Sequence, residues 1–132
     1  AFEHAWGAYT KYAWGADMVK PVTKSSGNDA NFQGMGLTLI DSLDTLWIMG
    51  MTEDFTRARD WVADNFQLGG HEDKTHGSVN LFEVTIRVIG GLLAAYDLSG
   101  DEAFLGKAKV VADQFIVAFD SPTGVPYSTI DL

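Results

Sequence analysis

The stretch "NLFEVTIRVIGGLLAAYDLSG", residues 80–100, is the most informative part of the sequence, because it is apolar on nearly every side and yet carries Glu83 and Arg87. A helix that is apolar all round must be covered by other elements. The two charged residues are four positions apart and therefore share one helix face. The stretch predicts an inner helix of an all-helical protein, with a polar site on one of its faces.

The neighbouring segments repeat this organisation. Helical periodicity predicts five helices, at residues 1–17, 36–50, 52–66, 80–100 and 101–119. The second and fourth are apolar all round, whereas the third and fifth have one polar face. "TEDFTRARDWVADNF" and "DEAFLGKAKVVADQF", which start at residues 52 and 101, align with each other. The pattern indicates stacked helical hairpins with buried inner helices and half-exposed outer helices.

Capping and loop signals set the expected boundaries. We expect Thr52 to be the N-cap of the third helix. We expect Ser99-Gly100-Asp101 to end the fourth helix and to cap the fifth. The segments 20–36 and 67–78 are predicted to be loops, and no strand of useful length is expected.

Composition excludes several classes of protein. The 132 residues are 46% hydrophobic and 20% charged, with a formal net charge of −9. This acidity argues against nucleic acid or an anionic membrane as a partner. The absence of cysteine excludes disulfides and cysteine zinc sites in these residues. No uncharged apolar run reaches the roughly 18 residues of a membrane span, and the first residues lack a signal-peptide pattern.

The acids on the apolar helices permit two interpretations. Asp41 and Asp44 are three positions apart on the helix 36–50, as Glu83 and Arg87 are four apart on theirs. In the structural interpretation, Glu83 and Arg87 only satisfy each other, and Asp44 bonds to neighbouring backbone. In the functional interpretation, the acids face a pocket, where paired carboxylates are typical of glycosidases.

Two weaker signals have simpler explanations. "HEDKTH", which contains His71 and His76, is interpreted as a solvated loop rather than a metal site. Gly90-Gly91 is interpreted as a position of close helix packing rather than a phosphate-binding turn.

Four motifs in order resemble one known family. They are "AFEHAWGAYTKYAWGADMVKPVTKSS", "GLTLIDSLDTLWIMG", "NLFEVTIRVIGGLLAAYDLSGD" and "SPTGVPYSTIDL". Together they resemble the N-terminal third of the class I α-1,2-mannosidases, glycoside hydrolase family 47. The resemblance implies that residues 1–132 are the N-terminal portion of a single (α/α)7 barrel catalytic domain, an all-α fold of helical hairpins.

The resemblance also implies an activity and residue roles. The family removes terminal α-1,2-linked mannose from high-mannose N-glycans, with inversion, and uses Ca²⁺. Glu83 matches the general acid of the motif "FE-x-T-I-R", and Arg87 matches the arginine that orients that acid and contacts the sugar. Asp41 matches an acidic residue of the active-site shell, and Asp44 follows it in the same motif. These roles make Glu83 catalytic and assign Arg87, Asp41 and Asp44 to substrate binding.

The remaining machinery is expected outside these residues. In the family, the base carboxylates and the threonine that binds calcium lie downstream, so no metal ligand is expected here. The 132-residue chain alone is therefore expected to be inactive without the remaining segments of the barrel. Family members act in the endoplasmic reticulum or Golgi, or are secreted, and bacterial members are exported. The alternative from another class is a lectin-like relative that binds mannose or N-glycans without turnover.

Overall fold

The computed structural model describes residues 1–69 and 77–131. The α-helices are α1 Phe2–Tyr12, α2 Leu37–Asp41, α3 Leu43–Ile48, α4 Thr52–Asn65, α5 Leu81–Glu83, α6 Gly90–Ser99 and α7 Glu102–Phe115. A π turn at Val84–Ile89 joins α5 to α6, and a 3₁₀ turn at Ile116–Phe119 follows α7. None of the described helices is long and apolar enough to cross a membrane.

The helices form two hairpins that stack side by side. The first hairpin consists of α2 and α3 followed by α4, and the second consists of α5, the π turn and α6 followed by α7. Helix α3 packs against α6, and α4 packs against α7. Inner helices therefore meet inner helices and outer helices meet outer helices, which confirms the predicted all-α arrangement. The fully buried side chains at these contacts include Leu43, Leu46, Val62, Val88, Leu92, Phe104 and Val111.

The predicted helices at 1–17 and 36–50 are shorter in the structure. Helix α1 ends at Tyr12, and Gly15 follows with φ of 83°. The helix predicted at 36–50 is interrupted at Ser42, whose hydroxyl donates to the Thr38 carbonyl oxygen at 2.6 Å. Such a bond back to the preceding turn is associated with helix bending. Periodicity alone did not indicate the interruption, because the apolar pattern continues across it.

Two small sheets were not expected from the sequence. Strand β1 Met18–Lys20 runs into the start of the predicted loop 20–36, and strand β2 Ser25–Gly27 lies within it. The two strands pair antiparallel. Strands β3 Ser78–Asn80 and β4 Thr129–Asp131 also pair antiparallel. Each strand has three residues. Three residues are too few to show an alternating pattern of apolar and polar side chains, so such a strand is recognised only by its backbone pairing with the partner strand.

The inner helices keep an uncovered apolar side in the described part of the chain. Large apolar side chains exposed on the inner elements or directly after α3 are Trp47, Ile48, Met49, Phe82, Ile86, Leu93 and Leu98. A helix that is apolar all round must be covered. Residues 1–69 and 77–131 cover the inner helices only in part.

The predicted cap at Thr52 is wrong, because Thr52 already lies in the first turn of α4. The N-cap is Met51, and no side chain caps this helix end. Gly50 has φ of 70°, and the Met51 N–H donates to the Leu46 carbonyl oxygen at 2.9 Å. This tight turn after α3 starts the next helix one residue earlier than the sequence suggests.

The predicted junction at 99–101 is confirmed. Gly100 ends α6 in the left-handed conformation, and the Asp101 carboxylate accepts from the Ala103 N–H at 2.9 Å. Asp101 also accepts from Arg59 Nε at 2.6 Å, which ties α4 to α7. The hydrogen bond from Arg59, and then that from Ala103, lower the pKa of Asp101 below its ordinary value.

We expect Asp101→Ala to lower the free energy of unfolding by about 1–2 kcal/mol at neutral pH, because it removes a helix cap and an ion pair. Since the folded-state pKa of Asp101 is lowered, its stabilising effect is present above the unfolded pKa. The stabilising effect is lost as the pH falls through the folded-state pKa. Denaturant unfolding at a series of pH values measures this difference between wild type and variant.

The matched control is Asp113→Ala on the same helix, which removes a solvent-exposed pair with Lys109. Its effect on the free energy of unfolding is expected to be under about 0.5 kcal/mol. The prediction would be contradicted if both variants lost the same free energy of unfolding. It would also be contradicted if the difference between wild type and Asp101→Ala grew as the pH falls.

Candidate functional site

Arg87 connects two carboxylates that belong to different hairpins. Its Nε donates to Glu83 Oε2 at 2.7 Å, and its Nη1 donates to Asp41 Oδ2 at 3.2 Å. Glu83 lies at the end of α5, whereas Asp41 is the last residue of α2. We call these three side chains the Arg87 bridge. The planar guanidinium suits this task because its donors point in fixed, divergent directions.

The Arg87 bridge is open to solvent. The exposed fraction of the side chain is 44% for Arg87, 31% for Glu83 and 38% for Asp41. Hydrogen bonds to Glu83, and then to Asp41, raise the pKa of Arg87 above its ordinary value. Ion pairs this exposed contribute little to stability. The bridge is therefore accessible to a ligand rather than sealed in the core.

Asn80 fixes the backbone at Glu83. Its side-chain oxygen accepts from the Glu83 N–H at 2.9 Å, which caps the start of α5. The Leu81 N–H donates to the Ser128 carbonyl oxygen at 2.9 Å, so the segment before β4 also holds this helix start. Asn80 was not predicted as a cap. Its sequence context could have indicated one, since Asn followed three residues later by Glu resembles a capping box.

The Glu83 side chain does not complete that capping box. Its carboxylate turns to Arg87, which lies one turn later inside the π turn. π turns within α-helices are rare and occur frequently at functional sites. No feature of the sequence predicted this turn, because the apolar pattern of residues 84–89 fits an ordinary α-helix equally well.

Gly91 permits the close approach of the two inner helices. A Cβ added at Gly91 would lie 3.1 Å from the Ile40 carbonyl oxygen and 3.2 Å from Ile40 Cγ2. At Gly90 the nearest atom would be the Thr85 carbonyl oxygen at 3.6 Å, an ordinary contact. The predicted packing role of the glycine pair is therefore carried by Gly91. Because Asp41 directly follows Ile40, this approach also sets how far Asp41 lies from Arg87.

Asp44 does not join the Arg87 bridge. Its Oδ1 accepts from the Thr45 N–H at 2.6 Å and from the Thr45 hydroxyl at 3.3 Å. No hydrogen bond or ion pair links it to Asp41 or Arg87 in the described ranges. The interruption at Ser42 separates the helix of Asp44 from that of Asp41. The observed contact matches the structural interpretation of Asp44, a bond to neighbouring backbone.

The described residues do not assemble a metal site. Within residues 1–69 and 77–131, no group of three or more His, Asp or Glu side chains is placed to hold an ion. In the Arg87 bridge the two carboxylates face a guanidinium, which is itself a cation. The segment "HEDKTH" at residues 71–76 lies outside the described residues.

The chemistry of the Arg87 bridge suits a polyhydroxylated ligand. Carboxylate oxygens accept hydrogen bonds from hydroxyl groups, and guanidinium N–H groups donate to hydroxyl and ring oxygens. A carboxylic acid in such a position can also transfer a proton to an oxygen atom of the ligand. The arrangement can therefore both bind a sugar and supply an acid.

Comparison with known proteins identifies relatives along the whole chain. The family model described as glycosyl hydrolase family 47 matches residues 1–132. A mannosyl-oligosaccharide 1,2-alpha-mannosidase of Arabidopsis thaliana is 53% identical over 132 residues, covering 100% of this chain and 22% of that protein. An endoplasmic reticulum mannosyl-oligosaccharide 1,2-alpha-mannosidase of Rattus norvegicus is 48% identical, covering 100% of this chain and 19% of that protein.

A solved structure shares the fold. The alpha-1,2-mannosidase from Trichoderma reesei superposes with a TM-score of 0.88 and 31% sequence identity, covering 98% of this chain and 28% of that one. That protein is an (α/α)7 barrel, so the two hairpins described here correspond to part of such a barrel. The chain spans about a fifth of the length of the curated relatives that it matches.

We expect Gly91→Ala to destabilise the protein by about 1–3 kcal/mol, the usual range for overpacking a tight contact. The added methyl group would meet backbone at Ile40, which cannot move aside as a flexible side chain can. Denaturant unfolding measures the change in the free energy of unfolding.

Gly90→Ala is the matched control, one residue away in the same helix. It should be neutral or stabilising by up to about 1 kcal/mol, because alanine favours the helix and meets no close atom. If Gly91→Ala were as stable as Gly90→Ala, the close approach of the inner helices would not constrain this position.

Proposed function

The chain belongs to glycosyl hydrolase family 47, and from this membership we propose that it forms part of an exo-α-1,2-mannosidase. The complete barrel would remove terminal α-1,2-linked mannose from high-mannose N-glycans with inversion. Its partners would be the glycan or glycoprotein substrate and the remaining segments of the same barrel.

The observation that supports this proposal most directly is the Arg87 bridge. Three residues that match family motifs come from two inner helices and meet at one solvent-accessible place. The curated relatives over the whole chain are named as 1,2-alpha-mannosidases.

In the proposed reaction, Glu83 is the general acid. It passes its proton to the glycosidic oxygen, directly or through a water molecule, as the bond from that oxygen to the mannose anomeric carbon breaks. In an inverting mechanism, water attacks that carbon from the opposite face, and a second carboxylate takes a proton from the water. That base would belong to the rest of the barrel.

Arg87 and Asp41 would hold the acid and the sugar in place. Arg87 Nε donates to one Glu83 oxygen and would fix its position. Because a second N–H group of the same planar guanidinium donates to Asp41, the separation of Glu83 and Asp41 would stay constant. Asp41 would accept hydrogen bonds from sugar hydroxyl groups. For Asp44, the proposed contact with substrate has the least support, because its carboxylate already accepts from Thr45.

We further propose that the complete protein uses Ca²⁺. This proposal rests on the family resemblance alone, because the described residues hold no ligand set for the ion. Its ligands would lie elsewhere in the barrel.

The compartment is proposed on the same basis. A relative that matches the whole chain is named as an endoplasmic reticulum enzyme. We therefore propose the secretory pathway, in the endoplasmic reticulum or Golgi, or secretion from the cell. In a bacterial host, the protein would be exported.

Glu83→Gln in a complete barrel that carries this chain should lower kcat by about 10²–10⁴-fold, the range typical for loss of a general acid. Glycan binding should persist, because the amide keeps the size of the side chain. Release of mannose from a high-mannose oligosaccharide measures turnover, and calorimetry with the same glycan measures binding.

The control is Glu53→Gln, the same change at an exposed position of the outer helix α4. It should leave turnover unaltered. A wild-type protein that binds the glycan but releases no mannose would support the lectin-like alternative. Full activity in Glu83→Gln would refute the assigned acid.

Calcium removal tests the proposed cofactor. Exhaustive chelation of the complete protein should abolish mannose release, and added Ca²⁺ should restore it. Because the described residues contain no ligand set, Asp41→Asn should not weaken calcium binding measured by calorimetry. Turnover that survives chelation would refute the requirement.

A further inference from the structure

Asp17 is a buried carboxylate that the proposed reaction does not use. It is fully buried, and it is the only buried charged side chain in the part of the chain that the structure describes. Its two oxygens accept from four backbone N–H groups, those of Asp29 at 3.0 Å, Gly34 at 2.8 Å, Gly36 at 2.9 Å and Leu37 at 3.1 Å. These bonds satisfy the charge and fold residues 28–37 around one side chain. We call this segment, which includes the first residue of α2, the loop 28–37.

The first connection runs from Asp17 to Asp41. Gly36 is the N-cap of α2, with φ of 82°, and has no side chain to cap the helix. The Asp17 carboxylate supplies the missing cap from a distant part of the chain, a position where negative charge is favoured. The Asp17 carbonyl oxygen also accepts from the Thr38 hydroxyl at 2.7 Å. Helix α2 has only five residues and ends at Asp41, so anchoring its start also fixes its end.

The second connection runs from the same loop to Glu83. The Asn31 carbonyl oxygen accepts from the Asn80 N–H at 3.4 Å. Gln33 Nε2 donates to the Ser78 carbonyl oxygen at 3.4 Å. Strand β3 ends at Asn80, whose side chain caps the helix turn that carries Glu83. One loop therefore contacts the elements that lead to both carboxylates of the Arg87 bridge.

We propose that Asp17 is a positioning residue that sets the spacing of Asp41 and Glu83 through the loop 28–37. It does not touch the Arg87 bridge. Its effect on turnover rests on the proposed function, whereas its effect on the geometry of the bridge does not.

The structural test compares crystal structures of a complete barrel with wild-type Asp17 and with Asp17→Asn. The amide has nearly the same shape, but its NH₂ group would face backbone donors and leave some of them without an acceptor. We expect the loop 28–37 to rearrange and the hydrogen bond between Arg87 Nη1 and Asp41 Oδ2 to be lost. An unchanged bridge in Asp17→Asn would overturn the proposal.

The kinetic test separates positioning from general loss of stability. Asp17→Asn should lower kcat by about 10–100-fold, because displacement of about 1 Å at a catalytic group costs this much. The larger part of the loss should appear in kcat rather than KM, since the acid acts in the transition state. Asp101→Ala, which weakens a contact between outer helices, is the control for destabilisation. Both variants are assayed at a temperature where unfolding measurements show them to be folded.

Equal kcat losses in the two folded variants would mean that Asp17 acts only on stability. If Asp17→Asn does not fold, Thr38→Val takes its place, because it removes only the hydroxyl bond to the Asp17 carbonyl oxygen. This variant should shift Asp41 and lower kcat by about 3–10-fold, and wild-type geometry together with wild-type kcat would overturn the proposal. If the wild-type barrel shows no turnover, the proposed function fails, and the crystal structures still decide the role of Asp17.

Discussion

The two inner helices pass so close at Gly91 that a Cβ there would lie 3.1 Å from the Ile40 carbonyl oxygen. This contact determines much of the surrounding arrangement. Asp41 follows Ile40 directly, and Arg87 lies one turn before Gly91, so both partners of the Arg87–Asp41 hydrogen bond lie within about one turn of this tight contact. A larger residue at the crossing would move charged groups as well as apolar ones.

Charge is tolerated on these apolar helices because it lies on their accessible side. The ionic groups of the Arg87 bridge are about one-third to one-half exposed, so they retain much of their hydration. The ion pair between Arg59 and Asp101 has similar exposure but joins the outer helices α4 and α7. The two ion-pair systems therefore differ in their place in the fold. The pair of Arg59 and Asp101 lies between outer helices, whereas the Arg87 bridge joins the inner helices of the two hairpins and leaves its carboxylates accessible to solvent.

Sequence patterns predicted the elements more reliably than their ends. The repeat that begins at Thr52 and again at Asp101 correctly indicated two hairpins, since both copies place apolar residues at the same positions of a helix. Asp101 was correctly identified as a cap because its bond to Ala103 is local. The cap at Thr52 was wrong because the turn after α3, closed by the bond from Met51 to Leu46, sets where α4 begins. The pairing of Glu83 with Arg87 followed from their spacing, whereas the roles of Asn80 and Asp17 were not noticed.

The inner and outer helices were predictable from the amino-acid pattern, as was the common face of Glu83 and Arg87, because these properties depend on residues within a few turns of each other. It also carried the family motifs over the whole chain. Other features became known only from the folded protein: Asp41 joins Arg87, Asp44 bonds to Thr45 instead, and Asp17 holds the loop before α2. These contacts join residues far apart in the chain or depend on a helix interruption at Ser42. Their distances are set by how closely the helices pack, and hydrophobic periodicity carries no information about that.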